Sequence, residues 1–341
     1  MFKQIVDEWV AEGIVGEWEG TFGMLDSGSG KFTQEPHRQR FVGTPSMNSV
    51  AKALAKRDGV ALCTSRRVVR FEGGPSGCDK NNRWSVVHRS SGPAIVRKDG
   101  TPIKVDQITD ENFHAVVVAD KQAASDRSTR AYQEQPPMQS AASPVVWHGM
   151  RAASQTPSFA LMFAVRRKFG GDTLFPFHGA TVVGDDVVSW IADDSSKPGR
   201  PTGSDTSPGA VQCFVATSTS AYAKSRAKAL VTVPGTAPHQ SLLDEVAKEM
   251  LEATLRLAGV TPKDVDVVHV AAHRWGAAFP GSETFAAAAE SGGGCLSDFP
   301  RRIVGCGDFC VSPKIEGAVL SGAAAAARVT EMLADAPFAS L

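Results

Sequence analysis

Apolar and polar positions alternate along the chain in two rhythms, a helical one at the start and late in the sequence and a two-residue one in between. Ile5, Val6, Trp9 and Val10 share one face at helical spacing, so the chain opens inside a helix. Residues 39–43 read as a short apolar run, and Gly43-Thr44-Pro45-Ser46-Met47 as the start of an amphipathic helix through Val50, Leu54 and Arg57, closed by Gly59. Residues 60–71 alternate as a strand, 84–88 as its partner across a turn region at 73–82, and 113–119 as a buried strand. Four β-rich runs at 158–165, 179–183, 187–192 and 211–216 are cut by Gly, Pro and Asp turns, which predicts a mixed or antiparallel sheet. Residues 241–259 give the clearest helix. There Leu242, Val246, Met250, Leu251, Leu255 and Leu257 are apolar, and Asp244, Glu245, Lys248, Glu249 and Glu252 are polar. Residues 265–272 form a strand running into His273-Arg274-Trp275.

The densest chemistry lies near the C-terminus. Ile303 and Val304 lead into Gly305-x-Gly-Asp308, a buried strand ending in a tight turn, and Ser312-Pro313 supplies an N-cap and first turn for the next helix. A carboxylate thus sits at a strand's end opposite a helix start. The unpaired amides of that start favour an anionic or electron-rich ligand, and an aspartate accepts hydrogen bonds from sugar-like hydroxyls. A flavin uses both. Gly317, Ala318, Ser321 and Gly322 are small enough to let a cofactor or a sheet approach the helix backbone. An ordinary strand–turn–helix with an alanine-rich packing helix carries the same pattern.

A length of 341 residues suits about two domains. Lys plus Arg and Asp plus Glu each total 36, which leaves no electrostatic footprint for nucleic acid or an anionic membrane, and no apolar run is long enough for a membrane span. The expected partner is a small-molecule substrate. Cysteines at 63, 78, 213, 295, 306 and 310 show no paired framework, which suits reduced thiols and an intracellular setting, cytoplasmic by default, with an organellar leader lost with the N-terminus as the alternative. Cys306-x-x-x-Cys310 with Cys295, His269 and His273 fits no common zinc spacing, so no metal is expected. The pairs Asp185-Asp186 and Asp193-Asp194 read as solvated turn carboxylates. Residues 122–144 shift to Ser, Gln, Ala and Pro, which reads as a crossing between domains.

Gly305-x-Gly-Asp308 with Glu316-Gly317-Ala318 and Ser321-Gly322 resembles the C-terminal flavin motif of the FAD-dependent amine-oxidase superfamily, most of all its renalase-like branch. The run from Trp190 to Arg200 and His273-Arg274-Trp275 resemble segments of the same branch. The resemblance implies FAD as cofactor, with Asp308, beside Gly307, holding a ribityl hydroxyl and the helix-start amides of Gly317 and Ala318 facing the pyrimidine end. It implies that Val68, after Ser65-Arg66-Arg67, clamps the adenine through its backbone, although a strand valine is ordinarily core. Trp275 would wall the substrate cavity and Arg274 would fork an anionic group. For Lys197 and Arg200 a hairpin turn with a surface salt bridge is the competing reading. Ser291 to Cys295 resembles a covalent flavin attachment segment of some amine oxidases, but renalase-like proteins bind flavin without one.

The implied fold is α/β, a two-domain glutathione-reductase-like FAD-binding fold, N-terminally truncated, with a mixed-sheet substrate domain. Residues 41–125 and 279–341 would form the FAD-binding part and 1–40 and 126–278 the substrate domain. The implied function is hydride transfer from a dihydronicotinamide isomer or an amine to flavin, with reoxidation by O2. The family's Gly-x-Gly-x-x-Gly phosphate cradle does not occur in the sequence, and Met1 falls where the family is already well into its chain. A fragment, a degenerate relative and a protein completed by another chain all remain open, as does a homodimer. Weak or no flavin binding by these residues alone is expected. The alternative function is a catalytically inactive, flavoprotein-derived interaction protein.

Overall fold

The computed structural model describes residues 1–75, 83–90, 107–126, 134–168, 173–200, 210–230, 240–281 and 293–334. The first part of the chain holds α1 (Phe2–Ala11), β1 (Val15–Glu17), β2 (Phe22–Asp26), β3 (Phe32–Gln34), β4 (Phe41–Gly43), α2 (Asn48–Leu54), β5 (Arg66–Gly73), β6 (Trp84–Ser90), β7 (Ile108–Phe113) and β8 (Val116–Val118). Then come α3 (Pro137–Ser140), α4 (Pro144–Ala152), β9 (Gln155–Arg167), β10 (Gly179–Val183), β11 (Val188–Asp193), β12 (Gln212–Ser218) and α5 (Ser220–Leu230). The last part holds α6 (Gln240–Leu257), β13 (Val265–Pro280), β14 (Leu296–Asp298), β15 (Ile303–Gly305) and α7 (Ile315–Ala334). The architecture is mixed α/β with several sheets.

The largest sheet has seven strands in the order β13-β9-β12-β11-β10-β2-β3. All its neighbours are antiparallel except β10 and β2, which run parallel. Two-residue alternation sends Phe159, Leu161, Phe163 and Val165 of β9 to one face, where they join Phe214, Ala216 and Ile191 and meet Val246, Met250 and Leu255 of α6 in a single buried cluster. The opposite parity of β9 is Ser158, Ala160, Met162 and Ala164. That face is covered at the β2–β10 end, where Trp18, Phe22, Val42 and Ala192 form a small cluster with Trp190. Toward β13 the same face exposes Met162 (40%) and Trp275 (55%), although Ser158 and Ala164 beside them are buried.

A second core joins the three-stranded sheets β14-β15-β8 and β5-β6-β7. Phe71, Trp84, Val116, Val118, Met138, Ala141, Val146, Met150, Ile303 and Phe309 pack together in it. The stretch 122–144, expected as a crossing between domains, contributes helices to this core. Pro137 and Pro144 each open a helix, and Met138, Ala141 and Val146 are fully buried. It also groups 138–153 with the strands around Ile303, whereas the sequence reading began the substrate domain at 126; residues 127–133 lie outside the described residues.

Other expectations shift at their edges. The strand expected from 60 begins at Arg66, and the run 113–119 is divided between Phe113, the last residue of β7, and β8, Val116–Val118, with Val117 exposed. Helix α2 forms where the amphipathic pattern asked for one, yet buries no residue. The strand expected to end at 272 continues to Pro280. No described helix is long and apolar enough to cross a membrane.

Candidate functional site

Strand β15 is buried at all three positions, lies between β14 and β8, and runs parallel to β8. Its chain then turns sharply. Gly307 has φ +153°, a conformation that side chains rarely adopt, and its amide donates to the Ser321 hydroxyl of α7 at 2.9 Å. A single 3₁₀ turn, Asp308–Cys310, follows and packs on α7. Asp308 is half-buried at this turn. Burial pushes its carboxyl above the ordinary value, opposed by the amides of Phe309 and its own residue.

The start of α7 differs from expectation in detail. Gly317 is present because Ser312 lies against it: a Cβ there would stand 2.1 Å from the Ser312 carbonyl oxygen. Ala318 already donates its amide to the Lys314 carbonyl at 3.1 Å, which removes it as a ligand donor. The helix-start donors are therefore Ile315, Glu316 and Gly317. Asp308, Gly307 and Gly317 thus share one bend–helix junction. Val68 is half-buried on β5, opposite His88, and its side chain packs against the core that contains Phe309.

Arg274 and Trp275 are adjacent on β13 and therefore point to opposite faces of the sheet. Arg274 stands opposite Phe159, whose side chain is in the helix-covered core, while Trp275 stands opposite Ser158 on the other parity. Strand parity thus sets the expected indole wall and arginine fork on different faces of this edge strand. Trp275 is edge-on to His273, ring centroids 4.6 Å apart. Because it is exposed, Trp275→Ala is expected to change stability by less than about 0.5 kcal/mol, read as an unshifted denaturant midpoint.

Residues 193–200 are a structural knot. Asp194 accepts from Lys197 Nζ at 2.7 Å and Arg200 Nε at 3.0 Å. Burial raises its carboxyl, but those two partners outweigh it and leave the group below its ordinary value. Trp18 Nε1 donates to the Ser196 hydroxyl at 2.9 Å, and the Lys197 ammonium sits 5.1 Å from the Trp18 ring centroid. The salt bridge expected for Lys197 and Arg200 forms, but largely buried rather than at the surface, with both cationic side chains 13% and Asp194 26% exposed, so Asp194 is not the solvated turn carboxylate expected. A cleft beside β1 is lined by Trp18, Phe22, Glu35 and Arg40; there Arg40 lies over the Phe22 ring and pairs with Glu35, so those charges are matched internally. Among the described residues, no group of three or more His, Cys, Asp or Glu side chains could hold a metal ion.

The raised Asp308 carboxyl gives a signed prediction. The fold favours its protonated form, so its contribution to stability is full below the unfolded-state value and is lost as pH rises through the folded-state value. Asp308→Asn, which never ionises, is expected to melt at or above the parent temperature near neutral pH, with the gap closing on acidification. A variant that melts lower than the parent at neutral pH contradicts this.

No family model matches the chain. Among solved structures it is similar to reduced UDP-galactopyranose mutase, with 8% sequence identity and a TM-score of 0.47, covering 88% of this chain and 52% of that one. The chain spans about half the length of that structure.

Proposed function

We propose that the chain is part of an FAD-dependent oxidoreductase, with the Asp308 bend and the start of α7 as its flavin-facing end. The observation that carries this reading is the half-buried Asp308 carboxyl, raised by burial, at the end of a buried strand and against a helix start. A carboxylate in that setting accepts a hydrogen bond from a ribityl-type hydroxyl, and the amides of Ile315, Glu316 and Gly317 favour negative charge on a neighbouring ring. Bound flavin would supply the two-electron redox chemistry. The finer reading, supported by the sequence resemblance, is renalase-like: hydride transfer from a dihydronicotinamide isomer or an amine, with dioxygen as final acceptor. Its substrate side is the β13 end of the seven-stranded sheet, where Met162 and Trp275 are exposed, with Arg274 of the same strand as the fork for an anionic group.

The residues present fit the ring end of the cofactor better than its phosphate end, because the sequence contains no glycine-rich phosphate cradle. Riboflavin and FAD are therefore expected to bind weakly and about equally, read by quenching of flavin fluorescence. Asp308→Ala should weaken both by about tenfold, the value of one charge-assisted hydrogen bond. Absence of quenching, or equal binding by Asp308→Ala, would overturn the assignment. In that case the long apolar edge of β13, with Val268, Trp275 and Phe279 exposed, favours the second reading, a non-enzymatic interaction protein.

A further inference from the structure

We propose that Cys295 and Cys306 are a cross-strand pair that a peroxide closes to a disulfide, making the end of the β14–β15 ladder a site of covalent modification. The ladder pairs Asp298 with Ile303, Ser297 with Val304 and Leu296 with Gly305. Carried one step beyond the ladder, the same register would set Cys295 opposite Cys306. The Cys306 amide donates to the Val118 carbonyl of β8 at 3.1 Å, so its backbone groups face away from β14. That makes the pair a non-hydrogen-bonded one, with Cα atoms about 4.5 Å apart in such ladders, inside the roughly 4.4–6.8 Å span of disulfides.

Beyond the cysteines the ladder has ended, with Gly294 at φ +81°, and a side chain joins Gly294 to Gly307. The Ser321 hydroxyl accepts from the Gly307 amide at 2.9 Å and donates to the Gly294 carbonyl at 2.6 Å. The two chains are thus held together on both sides of the cysteines. Both are reduced and buried, 1% and 5% exposed, in one apolar cluster with Val304, Ala325 and Met332. Cys310 is the competing partner, but its thiol lies toward the Gly305 carbonyl at 4.0 Å.

The chemistry balances with hydrogen peroxide alone. One thiolate attacks the peroxide, the O–O bond breaks, and water leaves with a sulfenic acid on sulfur; the second thiolate displaces that hydroxyl as another water. Two thiols and one peroxide give one disulfide and two waters. Burial pushes the Cys306 thiol up to about 11, and Arg328 and Glu331 of α7 and Cys310 and Asp308 of the bend are the other charged or titrating groups around the cluster. Closure is therefore slow at neutral pH and rises about tenfold per pH unit as the thiolate fraction grows.

The test uses the intact native chain, treated with hydrogen peroxide, alkylated, cut with trypsin and mapped by mass spectrometry. The expected product is a linked peptide pair two hydrogens lighter than its parts, with fragmentation placing the bond at Cys295 and Cys306. Cys310→Ser should keep the link and Cys306→Ser should lose it. The proposal is overturned if Cys295 stays alkylatable, if the bond falls on Cys310, or if it forms only in denaturant.

Discussion

Trp84→Ala is expected to destabilise the chain by about 3–5 kcal/mol, the range for removing a large aromatic from a core. Trp84 is 0% exposed and packs edge-on to Phe71 at 6.4 Å between ring centroids. Its loss would do more than leave a cavity. Trp84 Nε1 donates to the Arg301 carbonyl at 2.8 Å, and the Arg301 guanidinium stands 4.9 Å from the ring centroid while donating to the Ala141 carbonyl at 2.9 Å and the Gly73 carbonyl at 3.2 Å. One indole therefore ties β6 to the turn between β14 and β15 and, through Arg301, to α3. Trp84→Phe keeps most of the volume and forfeits the hydrogen bond, so it should cost less than half as much. Urea melts read both values from the midpoint at constant slope. A cost under about 1 kcal/mol for alanine would show that the second core does not depend on this residue.

Ser321→Ala is expected to cost about 1–3 kcal/mol, because it strips the side-chain partner from two part-buried backbone groups, each hydrogen bond worth about 0.5–1.5 kcal/mol. Ser321 is 0% exposed, and its one hydroxyl serves both Gly307 and Gly294. The loss is local in origin, so amide exchange at Gly307 should speed up more than exchange in α6, which belongs to the other core. Equal loss of protection in both places would mean that the hydroxyl stabilises the chain globally rather than the bend. The same variant should weaken any ligand that depends on the position of Asp308.

Strong periodicity was what made the fold legible. Leu242, Val246 and Met250 repeat at helical spacing and form α6, while Phe159, Leu161 and Phe163 alternate and form the middle of β9. Where local composition opposed tertiary demand, the sequence misled. Gln135-Pro136-Pro137 has linker chemistry, yet Met138 and Ala141 just beyond it fill the second core, because prolines are as suited to a helix's first turn as to a linker. Helix α5 went unnoticed because Ala223 is its one described fully buried residue in a run of Ala, Ser and Lys. At the site, the strand–bend–helix order around Asp308 was readable from Gly305-x-Gly-Asp308. The staple by Ser321 was not, since a serine among alanines carries no sign of which carbonyl it will reach. The opposed faces of Arg274 and Trp275 follow from strand parity alone, a rule that the sequence supplied and the resemblance overrode.

The sixteen-residue β13 ends the large sheet with about 50 Å of ribbon. Val267, Val268, Val270, Trp275 and Phe279 are exposed along it, and it contains no lysine. Among the described residues no strand pairs its outer edge, and unpaired backbone groups beside such side chains template a foreign strand. Monodispersity of the purified chain should therefore fall on concentration, with light scattering rising before any unfolding signal, and a single lysine at Val268 should restore it.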